Sequence, residues 1–426
     1  MGLVTISGPA GFRSIERIEI TLLTAPASVK PVGESHDLGR TELNMGYPAD
    51  LRPPHRRVLA EIAMQDEISR NELTAQLELP RATVTSLVRD LIARGLVVTR
   101  ESAVTGRRGR PAEILALAGP ATVIGVVSPA TDGLRVAVVT VSGRILAEDT
   151  HPISKADFRV DTATVLLAEV ASRAGYQLGE MNRVVLSLPA PYQRGVGSPV
   201  RRGPEGSNYA PWALVDPARE LAERTGTRVL VENDANLGAL GEFRYGAGRG
   251  RQSLVYVMLG EKSVGAGLII NGWLHRGASG FAGELAHTQI DDDGPLCSCG
   301  GRGCLIQAGT ALLRSAQSAY DEPLAYPRIL ALADAGDPGM ARLLGDFGRS
   351  VGRPLADTTT MLNPEAIIVG GATGAGGRHI VDGIREAVTR YASPPAAEAV
   401  TILAGATGEH ADLLGAVVLA RHEVDR

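Results

Sequence analysis

All three cysteines of this chain fall in one short run, Cys297-Ser-Cys299-Gly-Gly-Arg-Gly-Cys304. A histidine, His287, stands ten positions before the first of them. One imidazole and three thiolates are the donor set of a tetrahedral structural zinc site. The glycines between Cys299 and Cys304 let the backbone turn tightly enough to bring the thiolates round one ion. Dispersed cysteines would fit inert thiols of a core; this clustering with glycine does not. The expectation is a Zn2+ ion held by His287, Cys297, Cys299 and Cys304. Any fold for this chain must therefore close the loop 287–304 on itself.

At 426 residues the chain has room for two or three domains. Apolar residues at 44% and charged residues at 21% describe an ordinary globular protein. A net charge of −4 means that any affinity for nucleic acid must come from a local basic patch, not from bulk charge. Cysteines committed to a metal leave none for a disulfide, which fits a reducing compartment. No apolar run is long enough to span a bilayer. The N-terminus lacks the basic start, apolar core and cleavage site of a secretory leader. These features place the protein in the cytoplasm and away from membranes.

Residues 1–50 are expected to be a flexible extension, or an overlong translation start before Met45. Gly, Pro and Ser interrupt any period there, apart from a partly alternating piece at Ile15–Thr21. Residues 51–118 have the pattern of a small helical unit. Val58, Leu59, Ile62 and Ala63 give a first helix its apolar face. Ser69-Arg-Asn-Glu72 is a capping box opening a short second helix through Leu73 and Leu77. Pro80 starts a third, with Val84, Leu87, Val88, Leu91 and Ile92 at helical spacing and Gly95 just past its end. Two short strands, Leu96–Thr99 and Glu113–Leu117, flank the basic tip Thr105-Gly-Arg-Arg-Gly-Arg-Pro111.

Three helices and a two-stranded wing make a winged helix-turn-helix. The face of the third helix opposite its apolar stripe carries Arg81, Thr83, Thr85, Ser86 and Arg89, side chains suited to base edges and phosphates of a major groove. Arg107, Arg108 and Arg110 on the tip suit a narrow, electronegative minor groove. A solvated helix face or a charged loop explains either feature alone. Both together, in this order, point to double-stranded DNA.

Residues 119–426 change to an α/β pattern. Strands are expected at Val123–Val127, Leu134–Thr140, Arg183–Leu188, Arg228–Glu232, Ser253–Leu259, Gly265–Gly272 and Ala366–Gly371. Helices are expected near 161–174, from Asn233 to Glu242, near 309–319, 324–335 and 338–362, and from Asp412 to Arg421. Two successive sets of strands and helices suggest two α/β lobes with a cleft between them.

Several motifs run through this region in order: Val231-Glu-Asn-Asp-Ala-Asn236, Gly265-Ala-Gly-Leu-Ile-Ile-Asn-Gly272, Gly283-Glu-Leu-Ala-His287, the cysteine run, Asn363-Pro-Glu-Ala-Ile-Ile-Val-Gly-Gly371 and Leu414-Gly-Ala. With them the chain resembles the ROK family, which contains sugar kinases and sugar-responsive transcriptional regulators, over about residues 54–426. Family regulators carry an N-terminal winged helix that family kinases lack. The resemblance implies a two-lobed actin-like ATPase fold for the C-terminal part. It gives Asp234 the place of the family's catalytic base, and Asn233 and Glu284 the place of residues that bond sugar hydroxyls. His287 matches a residue that both ligates zinc and touches the sugar.

The departures bear on activity. Where family kinases have an acidic residue and a Gly-Gly-Thr turn for metal and phosphates, this chain has Val127-Ser128-Pro-Ala-Thr-Asp-Gly-Leu-Arg135. The second phosphate loop, usually Gly-Thr-Gly, reads Glu261-Lys-Ser263. A phosphate cradle of backbone N–H groups needs bare glycine and no adjacent anion. The family glutamate two residues after the last cysteine is Ile306, and the glycine before the histidine is Ala286. Kinase chemistry is therefore not expected, and Asp234 is left as a ligand contact. The ligand stays open between a sugar, a modified sugar and another metabolite. The favoured expectation is a homodimeric or homotetrameric DNA-binding regulator, a repressor, released from its operator by a sugar-type effector. An active sugar kinase carrying a DNA-binding domain is the rival, and a scaffold with neither activity the third reading.

Overall fold

A computed structural model describes residues 51–65, 67–101, 113–118, 122–129, 133–153, 158–192, 216–260, 263–318, 320, 324–371 and 377–422. The expected extension, the basic tip with Arg107, Arg108 and Arg110, and the loop segments 130–132 and 261–262 lie outside them.

The first unit runs α1 (Pro53–Gln65), β1 (Ile68–Ser69), α2 (Arg70–Leu77), α3 (Arg81–Ala93), β2 (Val97–Glu101) and β3 (Glu113–Leu117). The capping box is present: Ser69 Oγ accepts from Glu72 N at 3.2 Å, and Glu72 Oε2 accepts from Ser69 N at 2.9 Å. A cap of this kind stabilises a helix by about 1 kcal/mol. In α3, Val84, Val88 and Leu91 are buried at helical spacing against Val58, Leu59 and Ile62 of α1 and Leu73 and Leu77 of α2. Pro80 stands at the N-cap rather than inside the helix, and Gly95 follows with φ +69°. The wing is more than the expected strand pair. β1 adds to its edge in the order β1-β3-β2, because Ile68 opposite Leu115 buries one more apolar side chain.

Two five-stranded sheets follow. The first contains β4 (Val123–Pro129), β5 (Leu134–Thr140), β6 (Ile145–His151), β7 (Arg183–Leu188) and β8 (Val229–Asn233), with α4 (Val160–Arg173) and α5 (Pro217–Thr225) between strands. After α6 (Asp234–Tyr245) comes the second, built from β9 (Leu254–Gly260), β10 (Ser263–Ile270) and β11 (Trp273–His275). It is completed, after α7 (Ile306–Gln317), α8 (Tyr326–Asp334) and α9 (Pro338–Leu362), by β12 (Ala366–Gly371), α10 (Arg378–Tyr391), α11 (Pro394–Ala399) and β13 (Thr401–Ala404). The spatial orders are β6-β5-β4-β7-β8 and β11-β10-β9-β12-β13. In each, the first three strands are antiparallel and the last two parallel to the first. One topology is thus used twice, giving the two lobes expected from the strand pattern. β6, β11 and β13 were not expected: β6 is only half-buried and lacks a clean alternation, and β11 and β13 are three and four residues long. α5, α10 and α11 were not expected either.

α6 and the last helix, α12 (Ala411–His422), lie between the sheets. One apolar cluster joins Ile124, Val185 and Leu230 of the first sheet to Tyr256 and Ile368 of the second through Leu237, Leu413 and Val417. The two helices touch backbone to backbone. A Cβ on Gly415 would lie 1.8 Å from the Leu237 carbonyl oxygen, so only glycine fits. Among the described residues no helix is long and apolar enough to cross a membrane.

Candidate ligand and metal site

Among the described residues one group of side chains is placed to hold a metal ion, and it is the expected one. Ligand atoms of His287, Cys297, Cys299 and Cys304 all lie within 4.8 Å of one another. Cys299 Sγ and Cys304 Sγ are 3.7 Å apart, and His287 Nδ1 is 3.6 Å from Cys297 Sγ. Tetrahedral zinc with ordinary bond lengths places two thiolates about 3.8 Å apart, and a thiolate and an imidazole nitrogen about 3.6 Å apart. The donor set and its spacing therefore fit such an ion.

Local hydrogen bonds make this shape. Leu285–His287 is a single 3-10 turn, which presents the imidazole at its end. Cys297 N donates to the Gly301 carbonyl at 2.8 Å, and Gly300 N returns to the Cys297 carbonyl at 3.0 Å. Isolated bridges pair Gln289 with Cys304 and Leu296 with Arg302, which ties the knuckle to the chain after His287. Gly303 has φ +60°, and a Cβ there would stand 1.6 Å from the Asp291 carbonyl oxygen.

The thiols also influence one another. Burial, with hydrogen bonds to Cys299 and Cys297, pushes the Cys304 thiol up to about 12. Burial opposes ionisation of Cys297 too, but hydrogen bonds from the Cys299 backbone and side chain outweigh it and the thiol is lowered. A shared cation would favour ionisation of the buried Cys304 thiol beside Cys297. Burial lowers the pKa of His287, favouring the neutral imidazole that a metal or a hydroxyl requires.

The expected ligand contacts come from two lobes. Asn233 ends β8 and caps α6, its Oδ1 accepting from Asn236 N at 3.1 Å. Asp234 is the first residue of that helix, and its Oδ1 accepts from Ala235 N at 2.8 Å. Glu284 precedes the 3-10 turn of His287. Burial raises its carboxyl pKa. The two segments flank the same residues of β10. A Cβ on Gly267 would meet the Ala235 carbonyl at 2.6 Å, and Ala266 N donates to the Gly283 carbonyl at 3.1 Å. β10 thus brings the Asn233–Asp234 and Glu284–His287 pieces to one place. Ile306 opens α7 and packs on the core of the second lobe, an apolar side chain where a carboxylate was the pattern.

Two groups of functional interest escaped the sequence. Glu232 and Arg276 form an ion pair, Nε to Oε2 at 2.7 Å, between residues 44 apart in the chain. At the end of β4, Ser128 Oγ donates to Asp412 Oδ2 at 3.0 Å, and Arg135 pairs with the same carboxylate. Arg135 also donates to the Glu409 carbonyl at 2.7 Å. The serine that replaces an acidic residue is thus bonded to a carboxylate from α12. Spacing alone could not pair these positions.

In the winged helix, Arg81, Thr83, Ser86 and Arg89 are exposed on α3; Thr83, Ser86 and Arg89 lie away from its buried stripe, whereas Arg81 stands at the helix start, three residues before Val84 and in line with it. Thr85 is half-buried and its hydroxyl donates to the Arg81 carbonyl at 2.8 Å, so it is committed to the helix backbone.

Comparison with known proteins agrees with both halves. The MarR family model matches residues 49–108, and the ROK family model matches residues 127–423. The chain is similar to the xylose repressor of Bacillus subtilis (strain 168), 30% identical over 366 residues, covering 84% of this chain and 92% of that protein. It is also similar to the glucokinase of Thermotoga maritima, 33% identical over 264 residues, covering 55% of this chain and 80% of that enzyme. Among solved structures, a ROK family transcriptional regulator described as a homologue of E. coli MLC superposes with a TM-score of 0.64. It is 23% identical and covers 86% of this chain and 95% of its own, a likeness of fold. A ROK family glucokinase from Streptomyces griseus, in complex with glucose and AMPPNP, gives 0.60 at 28% identity over 70% of this chain and 99% of its own. The match to the family model spans well over half of the 426 residues, and the chain belongs to the ROK family.

Proposed function

We propose that this protein is a DNA-binding transcriptional repressor whose ROK domain senses a sugar. The observation that carries this is a winged helix with an exposed Arg/Thr/Ser face on α3, joined to a two-lobed domain in which β10 touches both the segment of Asn233 and Asp234 and the segment of Glu284 and His287. The similarity to a xylose repressor across nearly its whole length supports the same reading and names an aldose as the first ligand class to try.

Amide and carboxylate groups from two lobes suit a polyol, whose hydroxyls each donate and accept. His287 faces the thiols through Nδ1, which leaves Nε2 on the opposite side of the ring for a ligand hydroxyl. Zinc in the Cys/His knuckle would fix the imidazole's tautomer and brace the turn that carries Glu284. Closure of the lobes on a ligand would change the spacing of paired reading heads in a homodimer, and two-fold sites tolerate little change in spacing. The protein acts in the cytoplasm in this reading.

Phosphoryl transfer is disfavoured. Ser128 and Arg135 are both engaged with Asp412, so the carboxylate at the end of β4 is tied into an internal network instead of being open to a metal. A coupled ADP-release assay with Mg-ATP across a panel of aldoses tests this. No turnover is expected; turnover abolished by Asp234→Asn would establish a kinase instead.

A further inference from the structure

Glu232 divides its carboxylate between the two lobes. It lies in β8, 3% exposed, in the sheet of the first lobe. Its Oε1 accepts from Asn233 N at 3.1 Å, in its own strand, and from Asn236 Nδ2 at 2.9 Å, on α6 between the sheets. Its Oε2 accepts from Arg276 Nε at 2.7 Å. Arg276 directly follows β11, the edge strand of the other sheet. The Arg276 carbonyl accepts from Ala282 N at 3.2 Å, closing the loop that delivers Gly283 and Glu284. One ion pair thus joins the segment carrying Asn233 and Asp234 to the segment carrying Glu284 and His287.

Asn236 Oδ1 and Ser187 Oγ, the latter opposite Glu232 in the register of β7 and β8, are buried without a hydrogen-bond partner among the described residues. The Asn236 amide cannot turn over to satisfy its oxygen without losing its bond to Glu232. Taking Arg276 away from a carboxylate buried to this degree is costly. If the lobes moved apart, Oε2 would either lose Arg276 or pull the 276–284 loop with it.

We propose that the Arg276–Glu232 ion pair is the clasp that sets the two half-sites in ligand-binding register and couples their closure to the rest of the chain. Arg276 is a positioning residue here: it acts through Glu232 and through the loop to Glu284. The inference rests on the sugar-sensing reading above and deepens it.

The test uses full-length protein, an operator fragment recovered by selection from a random DNA pool, and D-xylose and D-glucose as probes. Arg276→Gln and Glu232→Gln are each expected to raise the sugar midpoint for DNA release by about tenfold, within the usual range of coupling between sites. The double variant should be no worse than either single one, and Arg276→Lys should recover part of the loss. DNA affinity without sugar and zinc content should match wild type. A wild-type midpoint in Arg276→Gln overturns the clasp while leaving the sensor intact. Loss of DNA affinity in step with melting temperature in all three single variants makes the pair merely structural. A wild-type protein whose DNA complex and melting temperature respond to neither of these sugars nor to any other aldose of a panel overturns the sensor reading and the clasp with it.

Discussion

Cys299 Sγ and Cys304 Sγ stand 3.7 Å apart, the separation of two thiolates on one tetrahedral zinc ion. A disulfide would need about 2.05 Å between them. The knuckle is shaped for a shared cation, with the imidazole of His287 as its fourth corner.

Metal analysis of the purified chain should therefore give about one zinc per chain. Cys304→Ala should lose it, and the wild type should lose it to a strong chelator with a fall in melting temperature. Gly303→Ala should behave like a ligand mutant although it removes no donor. Its Cβ collides with the Asp291 carbonyl and its φ disfavours any side chain. Full zinc content in Cys304→Ala would contradict the assignment.

Glu284 provides a pH test. Burial raises its carboxyl above the ordinary 4.5 in the folded protein. The unfolded chain therefore releases that proton first, and the carboxyl destabilises the fold as pH rises from 4.5 through the raised folded value. Glu284→Gln removes a charge that burial disfavours. It should raise the melting temperature of the ligand-free protein at pH 7.5, with the gain vanishing below about pH 4.5, where both states are protonated. The same change should weaken sugar binding by tenfold or more, as loss of a charge-assisted bond costs about 1.5–3 kcal/mol. Thermal melts across that pH range, paired with a sugar titration, check both signs.

The Ser128–Asp412–Arg135 network predicts indifference to nucleotide. Mg-ATP should leave the melting temperature of the wild type unchanged. Arg135→Ala should destabilise the protein by about 3 kcal/mol, since it leaves Asp412 partly buried and without its cation. A clear ATP-induced rise in melting temperature would contradict this account of the β4 end.

On the DNA side, Arg89→Ala should reduce affinity for the selected operator. Changing Arg107, Arg108 and Arg110 together to Ala should weaken binding and lower the slope of log affinity against log salt, by about 0.9 for each phosphate that is no longer neutralised. Anisotropy titrations at several salt concentrations measure that slope; an unchanged slope would remove the tip from the interface.

Much of this was legible in the residues. Periodicity located α1 and α3, because their buried faces repeat at helical spacing, and Ser69-x-x-Glu72 announced α2 through its capping chemistry. The clustering of His287 with the three cysteines was legible because these residues are close in sequence. What the sequence hid was long-range pairing. Glu232 was visible inside a motif and Arg276 stands beside another, yet only the folded chain brings them together. Asp412 meets Ser128 across 284 positions, and no local pattern encodes that. Short edge strands such as β11 were missed because a three-residue strand has no period to detect.

The most direct test of the central claim is a fluorescence anisotropy titration of the full-length protein on its selected operator, with and without a panel of aldoses and with no ATP present. The account predicts tight, salt-dependent binding and release by at least one sugar, with D-xylose the first to try. DNA binding that no sugar alters, or no DNA selected at all, would contradict it.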